Sequence, residues 1–253
     1  MKTVQLILLL LLPGILYSQE TEIRYLSGTG ADHTVEWDFF CSAGMNCGKW
    51  SKIEVPSCWE QQGFGTYNFG RENPEERLNE TGTYQYRFTL PSSWKNKQVE
   101  LVFDGVMTDA EVKINGILAG PVHQGSFYRF RFPVDKLVRF GRENRLEVQV
   151  KKQSENKGIT HAERQADYWV FGGIFRPVYL EAKPPENIRR VAVDARADGN
   201  FNADLYLSGH KEGIKVAVEI QTLRGEVKAR FESTAISPVS HLSGKLNNPE
   251  TWT

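Results

Sequence analysis

Cysteine is scarce in this chain of 253 residues, with only Cys41, Cys47 and Cys58, all within one short stretch. An odd count excludes a fully paired set. One bridge with a free thiol and three reduced thiols both stay open. A metal site among them would need a fourth ligand at suitable spacing, and none is evident. The five histidines, His33, His123, His161, His210 and His241, show no ligand spacing such as H-E-x-x-H. No metal and no cofactor is therefore expected, and packing or surface roles are the default for each histidine. His123, in the loop His123-Gln124-Gly125-Ser126 before a strand, could also line a polar site. An excess of charge is missing as well, since Lys plus Arg and Asp plus Glu each number 31. With no basic run either, nothing in the electrostatics selects nucleic acid or an anionic membrane as partner. Nucleophile elbow, phosphate-cradling loop and dinucleotide fingerprint are all lacking.

Long apolar runs are confined to the N-terminus. Lys2 supplies a positive start, residues 4–12 are nearly all apolar, and Pro13-Gly14 breaks the run. It is short for a membrane span of ~20 residues and has the layout of a cleaved secretory signal over residues 1–18, with Ser18 before the cut. No cysteine stands near that cut to carry a lipid anchor. No later segment approaches ~20 apolar residues, so a soluble mature protein, periplasmic or extracellular and free of the membrane after cleavage, is expected. Export would permit a disulfide.

What the chain has in abundance is period-two alternation. Apolar residues alternate strictly with polar ones in Tyr84-Gln85-Tyr86-Arg87-Phe88-Thr89-Leu90. The same holds around Val99, Leu101 and Phe103, around Val112 and Ile114, around Tyr128, Phe130 and Phe132, and around Leu146, Val148 and Val150. Each run presents one face to a core and one to water, as half-buried antiparallel strands do. Asp104-Gly105 and Asn115-Gly116 supply turns. No helix longer than two turns is predicted. Trp37, Asp38, Phe39 and Phe40 read as the first core strand, with an exposed sugar platform as the rival reading.

Lys183-Pro184-Pro185-Glu186 marks a boundary, because two prolines remove ladder donors and stiffen the chain. Alternation then resumes through Val191, Val193 and Ala195, through Ala203, Leu205 and Leu207, and on to Val227, Ala229 and Phe231. Residues 184–253 are short of the ~100 of a complete immunoglobulin-like sandwich. A Trp at position 252 suggests a chain that once continued.

The segment with most chemistry is Asp167-Tyr168-Trp169-Val170-Phe171-Gly172-Gly173-Ile174-Phe175-Arg176-Pro177-Val178. A carboxylate such as Asp167 can hold sugar hydroxyls, and an aromatic face such as Trp169 can cover the C–H face of a pyranose. The rival reading makes Trp169 and Phe171 core aromatics and Gly172-Gly173 a bulge. Arg176 reads as structural, holding a carboxylate.

Several stretches together resemble the sugar-binding domain of glycoside hydrolase family 2. They are Val55-Pro56-Ser57-Cys58-Trp59-Glu60, the strand pair from Trp94 to Val106, Glu111-Val112-Lys113-Ile114-Asn115-Gly116, the strand from Gly141 to Val150, and the closing segment from Trp169 to Val178. The resemblance implies an all-β fold, with a jelly-roll (galactose-binding-like) β-sandwich over residues 19–183 and a smaller, incomplete immunoglobulin-like β-sandwich over 184–253. It also implies a retaining β-galactosidase-like enzyme whose two glutamates, about 5 Å apart, lie on a catalytic barrel. Neither glutamate would then be in this chain, which is expected to be C-terminally truncated and to supply scaffold and one wall of a pocket for a β-linked glycan or oligosaccharide. Asn79-Glu80 superficially matches an acid/base pair, but it stands in a loop before a strand and is rejected. By the family's pattern Asp167 is a substrate contact. Asn68 is a weaker one, since it follows Tyr67 by one residue where the pattern has two, which places Phe69 at the matching position. The alternative is a stand-alone, lectin-like carbohydrate-binding module without catalysis.

Overall fold

Seventeen strands carry the described part of the chain, residues 20–250 of a computed structural model. The segment expected to be a signal and the residues around Trp252 lie outside the described residues. The strands are β1 (Glu22–Tyr25), β2 (Val35–Cys41), β3 (Trp50–Val55), β4 (Asn68–Phe69), β5 (Thr81–Thr89), β6 (Gln98–Phe103), β7 (Asp109–Ile114), β8 (Ile117–Leu118), β9 (Phe130–Pro133), β10 (Glu143–Lys151), β11 (Trp169–Val170) and β12 (Val178–Lys183). After the proline pair come β13 (Asn187–Ala195), β14 (Asn200–Ser208), β15 (Ile214–Gln221), β16 (Val227–Ala235) and β17 (Val239–Lys245).

Ten of the first twelve build a jelly-roll sandwich, while β4 and β11 pair as a separate ribbon. One sheet runs β3-β2-β5-β10-β7-β8 and the other β1-β12-β6-β9, with antiparallel pairing throughout. Alternation decides which face is inside. Leu146, Val148 and Val150 of β10 point into the core with Tyr84 of β5 and Val112 of β7, and meet Leu101, Phe103 and Leu180 of the opposite sheet. Trp37 and Phe39 are fully buried there, so β2 is a core strand, while Asp38 of the same segment is exposed. Asn115 and Gly116, at φ 54° and 84°, turn the β7–β8 hairpin in the left-handed conformation that two-residue hairpins require.

Residues beyond 183 form an immunoglobulin-like part with one three-stranded sheet, β13-β14-β17, and one two-stranded sheet, β15-β16. Its core is small, centred on Leu205, Val216, Ala235 and Leu242. The apolar run of β13 does not face a core as its alternation predicts. Val191 is 49 % and Val193 58 % exposed, because β13 is an edge strand and no second layer covers it among the described residues.

Two further expectations are corrected. A helix α1 (Lys157–Arg164) of eight residues, just over two turns, follows β10. Asn156 caps it by accepting the Gly158 N–H at 3.0 Å, and the glycine in its first turn weakened the helical signal. Arg176 holds no carboxylate among the described residues, its guanidinium lying 5.0 Å from the centre of the Phe175 ring.

Candidate functional site

Two long connections meet at the end of the six-stranded sheet where β5 begins and β10 ends. Residues 56–80 join β3 to β5, and residues 152–177 join β10 to β12. They are tied by a ribbon of two-residue strands, in which Trp169 pairs with Phe69 and Val170 with Asn68. Paired residues share a face, so the ribbon has two sides. Phe69 and Trp169 take one side, with ring centroids 5.4 Å apart and Trp169 53 % exposed. Tyr67 completes this aromatic wall, meeting Trp169 edge to face at 5.9 Å and Phe171 at 6.2 Å. Asp167 stands beside it, exposed and paired with Arg71 at 3.2 Å.

Asn68 and Val170 take the other side and are buried. The Asn68 Oδ1 has no hydrogen-bond partner there. The ribbon therefore brings Asp167 and Trp169 together on the exposed side and sets Asn68 behind them. Trp169 is no core aromatic. The exposed combination of flat rings, a carboxylate and a guanidinium can stack on a sugar's C–H face and bond its hydroxyls.

Behind the ribbon lies a buried set of charges. Lys152 Nζ meets Glu60 Oε1 at 2.7 Å and Glu80 Oε2 at 3.2 Å, and it also donates to the Thr66 carbonyl. Arg164 donates to the carbonyls of Lys152, at 2.9 Å, and of Phe171. Arg77 donates to the carbonyls of Arg164, at 2.7 Å, of Gly70, at 2.8 Å, and of Glu72. Burial pushes the Glu60 carboxyl up from its ordinary value, against the pull of Lys152, and pushes the Arg164 guanidinium down to about 10. Lys152 is paired with two carboxylates, whereas Arg77 and Arg164 bond only main-chain carbonyls and leave their Nε atoms without a partner, as does Oε1 of Glu80; these bonds stitch both connections together.

Sequence reasoning missed this layer. The period of β10 carries a signal for it: Leu146, Val148 and Val150 face inward, and the next inward position is Lys152. Glu80, rejected above as a catalytic acid, is fully buried against that lysine. The disulfide joins Cys41 to Cys47 and leaves Cys58 free. The Cys58 thiol is pushed up to about 11, chiefly by burial and then by Glu60. His123 stacks on Phe130 at 3.8 Å, its Nε2 lies 3.0 Å from the Gly125 carbonyl, and burial lowers its pKa. Among the described residues no group of three or more His, Cys, Asp or Glu side chains is placed to hold a metal ion.

Comparison with known proteins adds to this geometry. The family described as "Glycosyl hydrolases family 2, sugar binding domain" matches residues 37–184. A β-galactosidase of Psychromonas ingrahamii is 35 % identical over 179 residues, covering 68 % of this chain and 16 % of the relative. A β-galactosidase of Vibrio cholerae is 35 % identical over 197 residues, covering 73 % of this chain and 19 % of the relative. The chain thus spans less than a fifth of the length of either. Among solved structures, a β-glucuronidase from glycoside hydrolase family 2 superposes with a TM-score of 0.71 at 20 % identity, over 94 % of this chain and 28 % of that one. A Bifidobacterium dentium β-glucuronidase complexed with coumarin-3-O-glucuronide gives 0.68 at 22 % identity, over 92 % and 43 %.

Proposed function

The chain belongs to glycoside hydrolase family 2 through its sugar-binding domain, and we propose that it is the non-catalytic portion of an exported, retaining β-galactosidase-like hydrolase of carbohydrate metabolism. In this reading it supplies scaffold and one wall of the substrate pocket for a β-linked glycan. The glutamates that cleave the bond stand on a barrel outside this sequence. The observation that carries the reading is the exposed wall of Tyr67 and Trp169 with Asp167 beside it, held on a ribbon within the family's sugar-binding domain. Trp169 is assigned to stacking and Asp167 to hydroxyl contact, while Asn68, buried behind the ribbon, is given a place supporting it. The Cys41–Cys47 bridge supports export to the periplasm or beyond, since disulfides persist in oxidising compartments.

Calorimetric titration of the chain with β-linked galacto-oligosaccharides tests the reading. Weak binding that disappears in Trp169→Ala is expected, together with no hydrolysis of nitrophenyl β-galactoside. Enzyme-like turnover by this chain alone would overturn it. One observation favours the stand-alone binding module as a second reading: every contact of the wall described here lies within the jelly roll. Binding to a glycan array at full affinity without any barrel would select that alternative.

A further inference from the structure

Glu60 acts in two directions at once. The residue is 1 % exposed, and both carboxylate oxygens accept the Gly172 N–H, at 3.1 and 3.0 Å. Its main-chain carbonyl accepts the Tyr67 hydroxyl at 3.0 Å. Gly172 lies two residues beyond β11, and Tyr67 immediately precedes β4. One buried residue thus grips the chain behind both strands of the ribbon. Two-residue strands have little ladder of their own, and an isolated two-stranded ribbon is marginal in water. The position of the rings must therefore be imposed from beneath.

The grip depends on charge. A carboxylate bonds an amide N–H more strongly than a neutral acceptor does. Lys152, at 2.7 Å, is the cation beside Glu60, and it is shared with Glu80 at 3.2 Å.

We propose that Glu60 is the positioning residue of the aromatic wall: paired with Lys152, it fixes Gly172 and through it Trp169, while its carbonyl fixes Tyr67, so that the two rings are set for one sugar face. The proposal rests on the sugar-binding reading above. Glu60 itself is sealed under the wall and touches no sugar.

The test is fluorine NMR of the full chain labelled with 5-fluorotryptophan. Its six tryptophans give six lines, and that of Trp169 is assigned by its loss in Trp169→Phe. Glu60→Gln keeps the size and an acceptor for Gly172 but places an amide against Lys152, which retains Glu80. The Trp169 line is expected to shift or broaden while those of Trp37 and Trp94 stay, and affinity for methyl β-D-galactoside is expected to fall roughly tenfold. A folded Glu60→Gln chain with an unmoved Trp169 line overturns the proposal. Should that variant not fold, Tyr67→Phe decides, because it removes only an exposed residue's hydroxyl bond to the Glu60 carbonyl. It must then move the Trp169 line, and an unmoved line overturns the proposal. A Trp169 line that moves in Glu60→Gln, in an unsubstituted chain blind to the galactoside, keeps the positioning role and sinks the sugar reading instead.

Discussion

Arg71 reaches across the ribbon to Asp167, Nη2 to Oδ2 3.2 Å, yet the two side chains stay 70 % and 69 % exposed. An ion pair so open to water contributes about 1 kcal/mol or less to folding. Its placement beside the rings is what distinguishes it. Asp167→Ala should therefore leave the urea unfolding curve nearly superimposable on that of the unsubstituted chain. Loss of a charged hydrogen bond to a sugar hydroxyl should at the same time weaken galactoside binding by roughly tenfold or more. Equal affinity in the two proteins would remove Asp167 from the site.

Lys152 should behave in the opposite way. Lys152→Met leaves Glu60 and Glu80 buried without their shared cation, which is expected to cost about 3–5 kcal/mol at neutral pH. The sign of the pH dependence follows from Glu60. Burial already raises its folded pKa above the ordinary value, and removing the attraction of Lys152 raises it further. A carboxyl with a raised folded pKa binds its proton more readily in the folded state. Stability then falls as pH rises from the ordinary carboxyl value through the folded one. The deficit of Lys152→Met should thus be largest near neutral pH and smaller at a mildly acidic pH, because the raised carboxyl of Glu60 takes up its proton more readily in the folded chain. Urea unfolding of both proteins at the two pH values measures this, and a deficit that grew on acidification would contradict it.

These two sites were unequally legible in the sequence. The exposed pair was readable because Trp169 and Asp167 stand two residues apart in a segment whose residues come in a recognisable order. The sandwich was readable because β5, β7 and β10 alternate strictly. The charged layer was not, because single-residue expectations place Lys, Glu and Arg in water. Its pairing spans 92 residues of chain, from Glu60 to Lys152, so only the folded arrangement brings the partners together. The buried side taken by Asn68 was not legible for a related reason: spacing from Tyr67 says nothing about which side of a two-residue strand faces out. The exposed apolar face of β13 marks the same limit, since alternation reveals a two-sided strand and not whether a second layer exists to cover it.

The thiols give a third prediction. Under non-reducing conditions the unfolded chain should expose one reactive thiol, that of Cys58, and two more after reduction. In the folded chain Cys58 should react slowly at mildly alkaline pH, since burial and Glu60 raise its thiol to about 11 and the thiolate is the reactive form. Replacing Cys41 and Cys47 together by Ser opens a loop with a sequence separation of 6, worth about 2 kcal/mol on loop-closure grounds. Thiol titration with and without denaturant, and one unfolding curve, check all three statements. Two reactive thiols in the unreduced unfolded chain would place the bridge elsewhere.

The fourth prediction concerns Trp59, which is clamped between two glycines. A Cβ on Gly172 would lie 2.2 Å from the indole Cζ2, and one on Gly82 would lie 2.6 Å from Cζ3. Both contacts are far inside the distance carbon atoms tolerate. Trp59 is fully buried, with its main-chain N–H bonded to the Gly172 carbonyl at 3.0 Å, so the ring has no free space to yield into. Gly82→Ala should act as an ordinary overpacking change in β5, costing about 1–3 kcal/mol. Gly172→Ala should cost a similar amount and also displace the segment that carries Trp169, because Gly172 is where Glu60 holds that segment. The pair therefore separates stability from site geometry. At matched loss of stability by urea unfolding, Gly172→Ala should lose galactoside affinity and Gly82→Ala should keep it. Equal affinity in the two variants would mean that the wall is set by contacts other than those behind Gly172.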